Sequence, residues 1–568
     1  MKKTGAQILC ESLLKEGVEV IFGFPGGVVL PLYDTFPQYP QLRHILVRHE
    51  QAAAHAADAY ARVTEKVGVC LSTSGPGATN LVTGIANAYL DSSPVVAITG
   101  QVATPFIGKD AFQEIDITGI TLPITKTNYL VLDIKDLARV VKEAFYIAQF
   151  GRPGPVLIDI PRDIFQNKTD YVYPEKVDLP GLRSKVQGHP AQVKKAAELI
   201  NKAERPVIIG GRGVILSRAC EEFKELVEKA QIPVVTTLLG IGCFPEMHVL
   251  SFGWMGMHGM AYANRAIDAA DVIIAVGMRF GDRATGIVSA FAPKARIIHI
   301  DIDPAEIGKN VRVDIPIVGD IKTVLKALNK EVVQRDHIDW IHQLEQWRLE
   351  HPALEIRQCE ELLPQYVVRQ IYHATQGDAI IVTGVGQNQM WAAQYFFYNK
   401  PNCLVSSGGL GTMGFELPGA IGAKIGRPND IVWCIAGDGG FQMTIQELAT
   451  VAQEKVDIKI AIINNGYLGM VRQWQEMFYQ RHYVGSVLSG PDYVKIAEAY
   501  GIPGMRVTRK VEVIPAIEKA MAYDGAFLID FVVEPEENVF PIVPPGAALV
   551  EALEIPKSQT ATPANKPR

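Results

Sequence analysis

The chain has 568 residues, 48% apolar and 20% charged, a balance that excludes global disorder and, at ~150 residues per domain, a single-domain protein. Lys and Arg total 55 against 61 Asp and Glu, a net charge of -6, so no basic excess is present to meet a nucleic-acid backbone. The longest apolar runs are strand-length and fall short of the ~18 residues of a membrane span, so neither nucleic acid nor membrane is an expected partner. Seven cysteines without any C-x-x-C pair are expected as buried thiols in a reducing compartment. Glu11, Lys15 and Glu16 interrupt the apolar stretch that a signal peptide would need after Lys2 and Lys3, and a cytoplasmic location is expected.

Short β-branched runs alternate with longer helical patterns from end to end, which predicts parallel α/β layers. Strands are expected at 20–23, 44–47, 67–72, 94–99 and 153–160, with a helix over 51–62. A polar, Pro-containing stretch from 163 to about 189 lacks periodicity and reads as a linker. Strands then recur at 206–209, 233–237, 271–276 and 297–301, a charged helical connector covers 336–361, and a last group falls at 379–383, 431–436, 458–464 and 527–533. The expected organisation is three α/β domains, 1–175, 190–335 and 360–550, each a doubly wound parallel sheet, followed by a disordered tail at 556–568. Blocks one and three each run a strand into a Gly-rich loop and a helix, Ser74–Ala78 and Gly437–Gly440; duplication and independent use of a common α/β pattern both account for this.

Gly409-Leu410-Gly411-Thr412-Met413-Gly414 matches G-x-G-x-x-G, but the acid ~20 residues on falls inside another Gly-rich loop, so close packing is expected there rather than a dinucleotide. His49, Glu50 and His55 do not make a zinc site, because the two histidines are six apart and the motif needs four. No P-loop occurs. More informative is Gly437-Asp438-Gly439 after an apolar strand, with Asn464-Asn465 closing the next strand. Two oxygen-bearing side chains at neighbouring strand ends suit Mg2+, which takes few protein ligands and completes its shell with phosphate oxygens. The glycines let backbone amides and a helix N-terminus approach a diphosphate.

This pair resembles the thiamine-diphosphate signature G-D-G-x(24 or so)-N-N, and the resemblance assigns the metal to Asp438, Asn465 and the carbonyl of Tyr467. It also assigns an activating glutamate to Glu50, at a strand-to-helix junction in Arg48-His49-Glu50-Gln51. A carboxylic acid facing an aminopyrimidine ring nitrogen promotes the imine form that takes a proton from the thiazolium, and the Ala-rich segment after Glu50 would give it a dry wall.

Further stretches narrow the likeness: Phe22–Gly27, Ser72–Asn80, Asp110–Glu114, Ile124–Lys126, Gly256–Gly259, Arg279–Arg283, His299–Pro304 and Met470–Trp474. In order over residues 4 to 550, they resemble the catalytic large subunit of acetohydroxyacid synthase (acetolactate synthase). The resemblance implies thiamine diphosphate, Mg2+ and FAD as cofactors. It implies decarboxylation of pyruvate and condensation of the resulting hydroxyethyl carbanion with pyruvate, giving 2-acetolactate, or with 2-ketobutyrate, giving 2-aceto-2-hydroxybutyrate, in branched-chain amino acid biosynthesis. Glu50, Gln113, Lys126 and Gly27 are its implied catalytic residues. Pro25, Gly26, Gly386, Gln387, Asn388, Met413, Gly437, Asp438, Gly439, Gly440, Asn465 and Met470 would bind thiamine diphosphate. Arg152, His258, Arg279, Asp301 and Asp320 would bind FAD, and Phe112, Arg283, Val471 and Trp474 would line the substrate channel. A homodimer or homotetramer and a separate regulatory small subunit are implied partners. The chain departs from the family pattern at Val28, Arg162, Gly281, Gly384 and Asn388, where Ala, Lys, Asp, Asp and His are usual; Val28 is expected to narrow the pocket and Asn388 to remove a cation near the diphosphate. A pyruvate oxidase-like enzyme and a non-catalytic paralogue stand as alternatives.

Overall fold

The computed structural model describes residues 2–177, 179, 181–182 and 186–555, so the expected tail at 556–568 lies outside the described residues. Three six-stranded sheets, all parallel, organise the chain. The first contains Val20–Gly23 (β2), Arg43–Leu46 (β3), Gly68–Ser72 (β4), Val95–Gln101 (β5), Thr127–Leu130 (β6) and Val156–Pro161 (β7), and it is preceded by Lys2–Thr4 (β1) and followed by Lys168–Asp170 (β8). The second contains Pro206–Gly210 (β9), Val234–Thr236 (β10), Ser251–Trp254 (β11), Val272–Val276 (β12), Arg296–Asp301 (β13) and Ile315–Val318 (β14). The third contains Ile380–Thr383 (β15), Leu404–Ser406 (β16), Val432–Gly437 (β17), Lys459–Asn464 (β18), Gly504–Val507 (β19) and Phe527–Val532 (β20).

The orders are β3-β2-β4-β5-β7-β6, β11-β10-β9-β12-β13-β14 and β16-β15-β17-β18-β20-β19. Numbered by chain order within each sheet, the first and third both read 2-1-3-4-6-5, whereas the middle one reads 3-2-1-4-5-6, the order of dinucleotide-binding folds. The central strands are buried on both faces, as the near-continuous apolar runs of β5, β12 and β17 dictate. One core is continuous from the middle sheet through Trp340 and Trp391 to the third.

Several expectations are corrected. The stretch from 163 is not a bare linker at its start: β8 pairs antiparallel with β1, and Tyr171, Tyr173 and Leu179 pack on the first core. β1, β6, β8, β11, β14 and β19 were not predicted. All six lie at sheet edges or in the β1–β8 pair, and all but β14 carry Lys, Asn, Ser, Gly or Arg, which weakens the strand pattern. Of the seven free cysteines, Cys220 and Cys359 are only partly buried.

Candidate active site

The helix Glu50–Thr64 starts where β3 ends. His49 is its N-cap, in extended conformation, with its ring accepting from the N–H of Gln51. Glu50, 8% exposed, accepts from Asn80 Nδ2 at 2.9 Å, and Gly77 brings its backbone close to the same carboxylate. The turn before Glu50 is tied to the third domain of the same chain, since the N–H of Arg48 donates to Glu447 Oε1 at 3.0 Å and Oε2 at 3.2 Å. Burial pushes the Glu447 carboxyl up to about 7. Around Glu50, Gly26 leaves no room for a Cβ against Thr73, while Gly27 faces open space. Val28 fits over Gly100, whose missing Cβ makes the room, so part of the bulk expected to narrow the pocket is absorbed by packing. Gln113 has φ +61 and lies over Gly75, on a loop whose N–H groups converge on Glu114. Phe112 beside it is 88% exposed. Lys126 donates to the carbonyls of Ile147 and Phe150, and burial pulls its ammonium down to about 8.

At the third sheet, Gly437 closes β17 and Asp438 opens the helix Asp438–Met443. Asp438 is buried and accepts from the N–H of Gly466 at 3.1 Å; burial pushes its carboxyl up to about 7. Asn465, just past β18, donates to Gln387 Oε1 at 3.0 Å and accepts from the N–H of Tyr467 at 3.1 Å. Gln387 in turn donates to Gln473 and to the carbonyl of Glu537. Gly386, at φ +155, precedes the helix Gln387–Tyr395. The Asn388 amide nitrogen donates to Thr383 at 2.9 Å and to the Ile435 carbonyl at 3.1 Å, while its oxygen crowds the space beside Gly386 and Gly437. Asn388 therefore bridges the ends of β15 and β17 instead of presenting a free donor. Met413 reaches over Gly439. Asp438, Asn465, Tyr467, Gln387, Asn388 and Met413 are thus gathered at one end of one sheet. Among the described residues, no hydrogen bond or ion pair joins Glu50 to this group.

A third space, about 910 Å³, lies between the middle sheet and the other two domains. Arg152, His258, Arg279, Asp301 and Asp320 all line it, as do Arg283, Met470 and Trp474. Phe112 and Val471 do not. Arg283 stands 5.9 Å from the Trp474 ring centroid. Arg152 donates to Ser92 at 2.8 Å and Glu306 at 2.7 Å. Burial raises Asp301 to about 6 and lowers His258 to about 4. Asp320 caps the helix Ile321–Glu331 through Thr323. Gly281 faces open space, so no neighbour requires glycine there, and Arg162 is exposed on the first domain; the structure explains neither departure.

The sequence reading missed several residues. Arg212, at the start of the helix Arg212–Leu216, lines the large cavity with a buried Nε that has no hydrogen-bond partner; burial lowers its guanidinium to about 10. The strand-then-G-G-R-G pattern at Gly210–Gly213 was a usable signal. Arg62 is fully buried, held by Asp58 at 2.6 Å and Asp91 at 3.0 Å, and Asp91 also accepts the N–H groups of Gly408 and Gly409. The G-x-G-x-x-G stretch is therefore an interdomain packing loop.

A parallel-sheet pair that presents a carboxylate-amide corner and a glutamate-bearing helix defines a cofactor enzyme of the thiamine diphosphate class. Family matches agree: thiamine pyrophosphate enzyme, N-terminal TPP binding domain, over 3–120; central domain, over 193–328; and C-terminal TPP binding domain, over 384–531. The chain is 50% identical over 559 residues to "Acetolactate synthase" of Mycobacterium bovis, covering 96% of this chain and 90% of the relative. It is 49% identical to "Probable acetolactate synthase large subunit" of Methanocaldococcus jannaschii, covering 97% and 95%, and 47% identical to "Acetolactate synthase large subunit" of Porphyra purpurea, covering 99% and 98%. The chain belongs to the acetolactate synthase large-subunit family of thiamine pyrophosphate enzymes.

Proposed function

We propose that the chain is the catalytic subunit of an acetolactate synthase, joining pyruvate, after loss of CO2, to a second molecule of pyruvate or to 2-ketobutyrate. The observation that carries this is the intact corner of Asp438, Asn465 and Tyr467 beside Gln387 and Met413, together with Glu50 on its own helix. When bound, thiamine diphosphate supplies a carbon nucleophile and an electron sink. Asp438 and Asn465, with the Tyr467 carbonyl, would hold Mg2+. A buried carboxylate with no cation beside it is poorly stabilised, and a divalent ion there compensates its burial. Glu50 would face the pyrimidine ring as its proton-transfer partner, with Asn80 fixing the orientation of its carboxyl group. Met413 gives an apolar ledge over Gly439. Arg283 and Trp474 orient the second keto acid, a cation for its carboxylate and a wall beside it.

FAD would occupy the 910 Å³ cavity. The 3-2-1-4-5-6 order of the middle sheet and the unsatisfied Arg212 Nε suit a dinucleotide; Gly211, Gly213 and Gly277 pack backbone on backbone beside Arg212, their N–H groups donated to the Val276, Gly277 and Ile300 carbonyls. Asp320 caps its helix through Oδ1 alone, which leaves Oδ2 for a ligand in the cavity. No hydrogen bond or ion pair joins Glu50 to Asp438 among the described residues, and Phe112 is exposed, which supports a homodimer or homotetramer whose sites form between chains. A regulatory small subunit and a cytoplasmic setting complete the reading; among the described residues no helix is long and apolar enough to cross a membrane.

The test is pyruvate turnover by the purified chain with thiamine diphosphate, Mg2+ and FAD, following acetolactate and dissolved oxygen together. Acetolactate without oxygen uptake is expected. Oxygen uptake without acetolactate would move the chain to the pyruvate oxidases.

A further inference from the structure

Glu416 opens the helix Glu416–Gly426 and is 1% exposed. Its carboxylate fills a gap between two glycines: a Cβ built on Gly384 would stand 1.8 Å from Oε2, and one on Gly440 would stand 2.2 Å from Oε1. Gly384 follows β15 and begins the turn that carries Gly386 and Gln387. Gly440 belongs to the turn of Asp438. Glu416 itself ends the turn of Met413; burial pushes its carboxyl up to about 7, against the opposing pull of the main-chain N–H groups of Glu416 and Gly414. One side chain therefore touches all three backbone segments that build the diphosphate corner, while Oε2 has no hydrogen-bond partner among the described residues. An unpartnered acid buried this deeply is costly, so packing economy alone does not account for it. Position 384 is also one where this chain lacks the usual side chain.

We infer that Glu416 is a positioning residue: from the start of its helix it occupies the place that a side chain at position 384 would take, and it sets the spacing of the 384–387, 411–416 and 437–440 segments for the cofactor. This rests on the thiamine diphosphate reading of that corner. Glycine at 384 and at 440 is then the condition for Glu416, because any Cβ at either position collides with it.

Four variants of the full chain test this: Gly384→Asp, Glu416→Ala, the double variant, and Glu416→Gln. The readouts are thiamine diphosphate affinity in Mg2+, followed by quenching of intrinsic tryptophan fluorescence, and the thermal midpoint of the cofactor-free protein. Gly384→Asp and Glu416→Ala are each expected to weaken binding by about tenfold or more, and the double variant to return to within about threefold of wild type, a strongly non-additive pair. Glu416→Gln, of the same size, is expected to stay within about threefold. A merely structural acid would instead give single variants that bind normally whatever their melting temperatures. A double variant no better than the weaker single, or Glu416→Ala binding like wild type, overturns the proposal. Should Gly384→Asp fail to fold, equal affinities of the Ala and Gln variants at 416 overturn it. Wild type that binds no thiamine diphosphate would overturn the reading of the corner itself, and this proposal with it.

Discussion

The helices Glu50–Thr64 and Glu416–Gly426 occupy the same station in two sheets of the same strand order: each follows the second strand of its sheet, and each begins with a glutamate. They pack directly on each other, so closely that a Cβ on Gly422 would stand 2.0 Å from the Ala56 carbonyl oxygen. Yet the two acids live differently. Glu50 keeps an opening and a hydrogen-bonding amide, Asn80, whereas Glu416 is sealed between Gly384 and Gly440 with one oxygen unsatisfied. One topological position thus yields an acid that can meet a ligand and an acid that can only shape the backbone around one, and the surrounding glycines decide which.

The sharpest way to break this contrast is Glu50→Gln. Turnover should fall by about 10²- to 10⁴-fold, the usual worth of a positioned proton-transfer group, while thiamine diphosphate still binds; an unchanged rate in a pyruvate assay would remove Glu50 from the chemistry. Next in size is Arg62→Met. It strands Asp58 and Asp91 in a dry interior, and breaking a buried pair in this way costs about 3–5 kcal/mol. Because Asp91 also holds the N–H groups of Gly408 and Gly409, the loss should show as a lowered thermal midpoint and as weaker flavin retention in the same preparation. Gly422→Ala puts a Cβ 2.0 Å from the Ala56 main-chain oxygen, so the two helices must part, and a cost of about 3 kcal/mol, the upper end of ordinary overpacking, is expected as a lower melting temperature.

Much of the fold was legible because buried parallel strands such as β5, β12 and β17 are short apolar runs bounded by glycine, and the alternation with helices leaves few topologies. Edge strands such as Thr127–Leu130 and Gly504–Val507 were not, since they are half-exposed and polar, although the edge strand Arg43–Leu46 was. Of the site, the residues held by local motif were readable: Asp438 and Asn465 sit at strand ends that hydropathy locates. Glu416 and Glu447 were not readable, because their meaning depends on which backbone they face: that of Gly384 and Gly440 for Glu416, and that of Arg48, 399 residues back along the chain, for Glu447. The G-x-G-x-x-G stretch shows the converse: Asp91 holds the N–H groups of Gly408 and Gly409, so the loop that carries the motif is an interdomain contact whose Gly409 and Gly411 also line the large cavity.

The repeated topology offers a finer comparison in the sixth strand of each sheet. β7 carries Asp159 and β20 carries Asp530 at the same position, the fourth residue, and both are buried. Asp530 meets the Arg506 guanidinium at 2.9 Å and the Asn464 amide at 2.9 Å. Asp159 meets only neutral donors, Thr99 at 2.7 Å and Gln101 at 2.9 Å, and burial pushes its carboxyl up to about 7. The folded first domain therefore retains a proton that the unfolded chain, with an ordinary carboxyl near ~3.9, has already released. Since stability changes with pH as the difference in protons bound, the contribution of Asp159 is full below about 4, declines as pH rises towards about 7, and is level above that. Asp159→Asn keeps an oxygen for one donor and abolishes the titration. Melting curves from pH 5 to pH 8 should show wild type losing stability relative to the Asn variant as pH rises, with the difference flattening above neutrality. An identical slope in both proteins would mean that Asp159 stays ionised in the fold, and that its two neutral donors do for it what Arg506 does for Asp530.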